Sequence, residues 1–159
     1  MIQAFRVFKK VSLGFLALPV FLIPALVWAL QQLPYDREYE AIGYAPSTPT
    51  DAVTRLQQKV HAGEVELQFD AESGYLASLL DQLEIPVSSQ MLVFSKTSFQ
   101  TGLISSRTPR AIYFNDKVYV AWVQDSPVLE ISALDPDLGP VFYTLDQIPS
   151  PLPTFKRET

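Results

Sequence analysis

From Val11 to Leu30 the chain runs without a single charged residue, behind a leading segment that carries Arg6, Lys9 and Lys10. As a helix rising about 1.5 Å per residue, that run covers roughly 30 Å, the thickness of a bilayer's hydrocarbon core. It also exceeds the roughly 7–15 apolar residues of an ordinary signal-peptide core. The order of basic flank, apolar span and polar chain is that of an export signal, and we read it first as an uncleaved anchor. A removed signal stays open beside it. Pro19 and Pro24 would kink a span, and Val27-Trp28-Ala29 offers a small-residue cleavage site. Lysine and arginine next to a span stay on the cytoplasmic side, whereas Asp36, Glu38 and Glu40 lie just past it. The bulk of the chain is therefore expected on the far side of the membrane.

After this segment, about 130 residues remain, enough for one domain to bury its own core. The sequence has no cysteine, so thiol chemistry, thiolate metal sites and thioether-linked haem are excluded for this chain, and packing alone must stabilise it. The formal net charge is −5, which argues against nucleic acid as a partner. The six glycines are scattered and form no phosphate-cradling loop.

Residues 31–50 are rich in tyrosine, proline and acid, have no helical or strand period, and read as an extended spacer. Thr48-Pro49-Thr50-Asp51 supplies a hydroxyl cap, a proline at the first helical position and an acid behind it. Val53, Leu56 and Val60 then recur at helical spacing, and Gly63 can close the helix. Val65, Leu67 and Phe69 alternate with polar residues as in a strand, with Glu64, Glu66 and Asp70 on its wet face. Tyr75, Leu76, Leu79, Leu80 and Leu83 form a second helical stripe that ends before Pro86. Met91 to Phe94 reads as a strand buried on both faces.

Ala111 to Phe114 and Val118 to Val123 predict a hairpin around Asn115-Asp116-Lys117. A second pair, Val128 to Leu134 and Val141 to Leu145, is joined through Asp135-Pro-Asp-Leu-Gly139. Residues 148–159, with Pro149, Pro151 and Pro153, read as an extended linker. The fold expected is α+β: a signal or transmembrane helix over 1–30, then a domain over 51–147 with two short helices and an antiparallel sheet of about five to six strands.

Chemistry-bearing groups are sparse. His61, the single histidine, stands at the end of the first expected helix, where it complements the terminal carbonyls. Ser95-Lys96-Thr97-Ser98 puts only Lys96 and Ser98 on one strand face, without a glycine elbow or second base. The more informative feature is a basic, hydroxyl-rich stretch in an otherwise acidic domain. Lys96, Arg107, Arg110 and Lys117 lie among Ser98, Gln100, Ser105, Ser106 and Thr108, residue types that suit carboxylates.

Several blocks in order carry a further resemblance. They include Gly63-Glu-Val-Glu-Leu67, Gly74-Tyr-Leu76, Ile85 to Gln90, Val93 to Gln100, Ser106 to Asp116, Leu134 to Gly139 and Val141 to Gln147. Together these blocks resemble the haem-less N-terminal region of exported bacterial cytochrome c domain-containing proteins. The resemblance implies an inner-membrane anchor with the bulk in the periplasm, and a Cys-x-x-Cys-His haem region following the Pro-rich linker. The present sequence stops at Thr159, short of that motif, so the expectation is a haem part further along a longer chain, encoded separately, or lost.

No cofactor is expected in this chain itself, and haem c is implied for the full-length relatives. Carried onto the matching blocks, the surface expected to face the haem region, pairing with propionates or polar backbone, comprises Lys96, Ser98, Gln100, Arg107, Arg110, Asn115 and Asp116. The function implied is a scaffold or docking module for a c-type haem partner, with no activity of its own. An accessory domain of a haem-dependent oxidoreductase and a free-standing envelope module for an anionic ligand or protein are the alternatives.

Overall fold

The computed structural model describes residues 41, 43–95 and 97–158. The run Val11–Leu30 read as an anchor lies outside them. Among the described residues no helix is long and apolar enough to cross a membrane. A compact unit begins at Ala45 and contains every helix and strand named below.

Two short helices precede a six-stranded antiparallel sheet, as the α+β pattern predicts. They are α1 (Ala52–His61) and α2 (Leu76–Gln82). The strands are β1 (Met91–Val93), β2 (Arg110–Phe114), β3 (Val118–Trp122), β4 (Val128–Asp135), β5 (Gly139–Asp146) and β6 (Phe155–Glu158). They follow one another in space in chain order, each antiparallel to its neighbours.

α1 is capped by Asp51, not by Thr48, because the stretch before it is claimed by another element. Thr50 N–H donates to Asp135 Oδ2 in the β4–β5 turn at 2.5 Å, leaving Asp51 to cap Val53 N (2.7 Å) and Thr54 N (2.9 Å). The other oxygen of this buried carboxylate accepts from the Tyr143 hydroxyl of β5 at 2.5 Å, so one side chain ties helix to sheet. Burial, and then the Asp51 carboxylate, push the Tyr143 pKa up and keep its hydroxyl a donor. At the other end Gly63, with φ of 73°, allows Glu64 N to reach Lys59 O (2.9 Å) and Gly63 N to reach Val60 O (3.1 Å).

α2 closes in the same way without a glycine. Glu84 sits at φ 55°, Ile85 N donates to Leu80 O (2.8 Å) and Glu84 N to Asp81 O (3.1 Å). The start of α2 is fixed by Gly74 and Tyr75: Gln147 Oε1 accepts Tyr75 N at 3.0 Å, and the Tyr75 hydroxyl accepts Ser150 N at 2.8 Å. A Cβ on Gly74 would come within 1.9 Å of Gln147 Oε1, and its φ is 62°. Two blocks of the sequence resemblance, around Gly74 and around Gln147, thus meet in space.

Three further expectations are corrected. The alternating segment Glu64–Asp70 forms no strand. Val65 N donates to Lys59 O at 3.4 Å and Gln68 N to Ser78 Oγ at 3.0 Å, both on helices, and only Asp70 pairs as in a sheet, in an isolated bridge to Gly74. β1 is an edge strand, not a doubly buried one, with Met91 and Leu92 more than half exposed. The linker read over 148–159 ends in β6, where Phe155 and Pro153 are buried and Gln57 of α1 clamps the entry. Its Oε1 accepts Phe155 N (2.6 Å) and its Nε2 donates to Pro153 O (3.3 Å).

Alternation divides the sheet into two faces. Val118, Val120, Leu129, Ile131, Val141 and Leu145 point to the side of Val53, Leu56 and Leu79, and together they make the core. The opposite face carries two cross-strand rows: Ile112, Ala121, Glu130, Thr144 and Lys156 in one, and Phe114, Tyr119, Ser132, Phe142 and Glu158 in the next.

Candidate functional site

The second face holds a recess of about 750 Å³. Ile112, Tyr119, Ala121 and Phe142 supply its apolar wall, Arg110 and Glu130 its polar end, and Thr97 to Phe99 of the long β1–β2 connection border it. Tyr119 is held in place by stacking on Phe114, with centroids 5.6 Å apart and planes at 16°.

Glu130 organises the polar end. It accepts from Ser98 Oγ at 2.6 Å and from Gln100 Nε2 at 3.3 Å on one oxygen, and from Arg110 Nη1 at 3.4 Å on the other. Arg110 Nη1 also donates to Thr97 O (2.9 Å) and Gln100 Nε2 to Val128 O (3.1 Å), which stitches the connection onto the sheet. Arg110 is 8% exposed and Gln100 6%. Burial at this level is tolerated by an ion pair only when the remaining polar atoms are also satisfied. Two are not matched by any described residue: Arg110 Nε and Gln100 Oε1.

The expected site residues therefore separate. Ser98, Gln100 and Arg110 converge on Glu130. Arg107 is exposed on the turn after Ser105, its N–H accepted by Ser105 Oγ at 3.2 Å. Asn115 and Asp116 lie past the far end of β2. Asn115 is architectural: Oδ1 accepts Lys117 N and Val118 N, each at 2.9 Å, and Nδ2 donates to Leu83 O at the end of α2 (3.0 Å). Asp116 is exposed at the hairpin tip, and Lys96 lies outside the described residues.

Sequence reasoning missed Glu130, although a lone acid amid Val128-Leu-Glu-Ile-Ser132, in phase with Ser132, was a usable signal. The acidic face expected around Asp70 is a turn instead. The Ser73 N–H and hydroxyl and the Glu72 N–H hold the Asp70 carboxyl below the usual range.

Among the described residues no three or more histidine, cysteine, aspartate or glutamate side chains group as metal ligands, and His61 is exposed at the end of α1. With no cysteine anywhere, these residues do not fit a covalently held haem, and a haem would have to sit in another chain or region. No family model, no curated protein and no solved structure matches this chain, so the resemblance rests on its sequence blocks alone.

Proposed function

We propose that this chain is a non-catalytic docking domain, tethered to the inner membrane by its apolar N-terminal segment and held on the periplasmic side. Its partner is a c-type haem region supplied in cis or in trans. The observation that supports this reading best is the open face of the sheet. Tyr119, Leu134 and Phe142 stand more than half exposed on it, where an antiparallel sheet facing water usually carries polar residues. The sequence resemblance supplies the haem identity of the partner.

Contact with that partner is apolar in this reading and does not rest on Arg110, whose charge is matched by Glu130. For the same reason, a free-standing module for an anionic ligand is the weaker alternative.

Purification of the tagged full chain from bacterial membranes that make c-type haem tests the proposal, with co-purifying haem read from reduced-minus-oxidised spectra. Haem c is expected with the wild type and at least tenfold less with Leu134→Glu or Phe142→Glu at unchanged circular dichroism. No haem above an untagged control overturns the haem partner. Haem retained by both variants overturns the open face as the contact surface.

A further inference from the structure

We infer that a cleft between α1, the end of α2 and the β2–β3 turn binds the dianionic head of a phosphate monoester. The inference stands on the charge and placement of the residues lining that cleft and does not depend on the docking role of the open face.

Three cations meet there from two elements. Arg55 and Lys59 stand four residues apart on α1, which places them one above the other on the same helix face, and Lys117 lines the cleft from the hairpin turn. Like charges at that helix spacing repel, at a cost of about 0.2–0.5 kcal/mol. Among the described residues none of the three is ion-paired, whereas Arg110 pairs with Glu130 and Lys156 with Asp146. Arg55 is held through one nitrogen, Nη1, which donates to Thr50 O. In a chain of net charge −5, three converging cations without a carboxylate partner form a local field that attracts an anion. Leu56, Leu83 and Val118 are buried along the cleft, and such an apolar wall focuses the field of the charges beside it.

The charge of the ligand follows from a count. One carboxylate, Glu84, shares the cleft, so three positive charges less one negative leave two. A phosphate monoester carries about −1.5 to −2 at pH 7 and offers three strong acceptor oxygens, as many as there are cations. A carboxylate ligand, with a single charge, would leave one cation unmatched.

Size limits the remainder. The cleft holds about 290 Å³, at the small end of the roughly 300–1,000 Å³ of ligand pockets, which suits a head group and not a whole nucleotide cofactor. Arg55 and Lys117 also border a recess of about 480 Å³ lined by Ala52, Leu134 and Pro136, which has room for the organic part of the ester. The two carboxylates at that recess are already engaged, Asp51 by Val53 N, Thr54 N and the Tyr143 hydroxyl, and Asp135 by the N–H groups of Thr50, Asp137 and Leu138.

The test is calorimetric titration of the full chain in phosphatidylcholine nanodiscs with phenyl phosphate and with benzoate. Phenyl phosphate is expected to bind at least tenfold more tightly. Lys59→Gln and Lys117→Gln, each at unchanged circular dichroism, are expected to weaken it at least fivefold, and Arg107→Gln, an exposed cation outside the cleft, to leave it unchanged. A soluble ester and a lipid headgroup share this chemistry, and a second titration separates them once binding is shown. In discs containing phosphatidic acid, a lipid source weakens phenyl phosphate binding relative to phosphatidylglycerol discs of equal charge, whereas a soluble source gives the same affinity in both.

No measurable binding of phenyl phosphate, equal affinity for benzoate, or a loss in Arg107→Gln as large as in Lys59→Gln and Lys117→Gln overturns the inference. Phe142 lines neither the cleft nor its neighbouring recess, so failure here leaves the haem test with Phe142→Glu standing on its own.

Discussion

The two faces of the sheet are made by the same strands and differ in what lies over them. On one, Val120, Leu129 and Val141 are fully buried; on the other, Tyr119, Leu134 and Phe142 are 52%, 56% and 51% exposed. Both faces are rich in apolar side chains, so hydrophobicity alone does not distinguish core from surface here. The core face is completed by the helices and by polar ties such as Asp51 with Tyr143. The open face instead gathers Ser98, Gln100, Arg110 and Glu130 into a polar cluster beside bare aromatics. The difference separates residues kept for packing from residues available for recognition.

The sharpest way to break this contrast is a pair of truncations. Leu129→Ala is expected to destabilise the domain by about 2–5 kcal/mol, because it removes buried methyls and leaves a cavity. Phe142→Ala on the open face should stay within about 0.5 kcal/mol. Denaturant unfolding of both measures it, and equal losses would mean that the open face is also core.

Next in size is Asp51→Ala, which strips the cap from α1 and leaves the buried Tyr143 hydroxyl without its acceptor. A loss of about 1–3 kcal/mol is expected. Asp51→Asn, which retains acceptor oxygen, should recover part of it.

Asp135 gives a pH test of the tie between the β4–β5 turn and the start of α1. Burial raises its pKa, but the Thr50, Leu138 and Asp137 N–H groups and the Thr50 hydroxyl outweigh that and hold it below 3.8. A depressed carboxyl adds stability that is present above its unfolded pKa and is lost as pH falls through the lower folded value. The melting-temperature gap between wild type and Asp135→Asn should therefore be widest above the usual carboxylate range and close as pH falls below it through the depressed folded value.

The smallest effect has the opposite sign. Glu84→Gly at the left-handed end of α2 should stabilise by about 0.5–1 kcal/mol, since Glu84 pays a steric cost there that glycine does not.

Much of the sheet was legible because the hairpins at Asn115–Lys117 and Asp135–Gly139 carry their own turn chemistry between alternating runs. The sequence misled where local pattern and tertiary partner disagreed. Val65, Leu67 and Phe69 have a strand's period, but the backbone there is claimed by Lys59 and by Ser78. Phe155 to Glu158 offer a single apolar residue followed by three charged ones, no pattern that could stand out behind three prolines, and only Gln57 and β5 make them a strand.

The site was half legible. Composition flagged Ser98, Gln100 and Arg110, yet it suggested a display of positive charge. The acid that neutralises Arg110 is 20 residues away in sequence and becomes its neighbour only through the sheet.

Hydroxyl-radical footprinting of the full chain, in membranes that make c-type haem and in membranes that do not, addresses the central claim most directly. If the open face is a receiving surface, Tyr119, Leu134 and Phe142 are protected in the first and reactive in the second, while Val87 and Ile148, outside the strands, react alike in both. Equal reactivity of all five in the two preparations would contradict it.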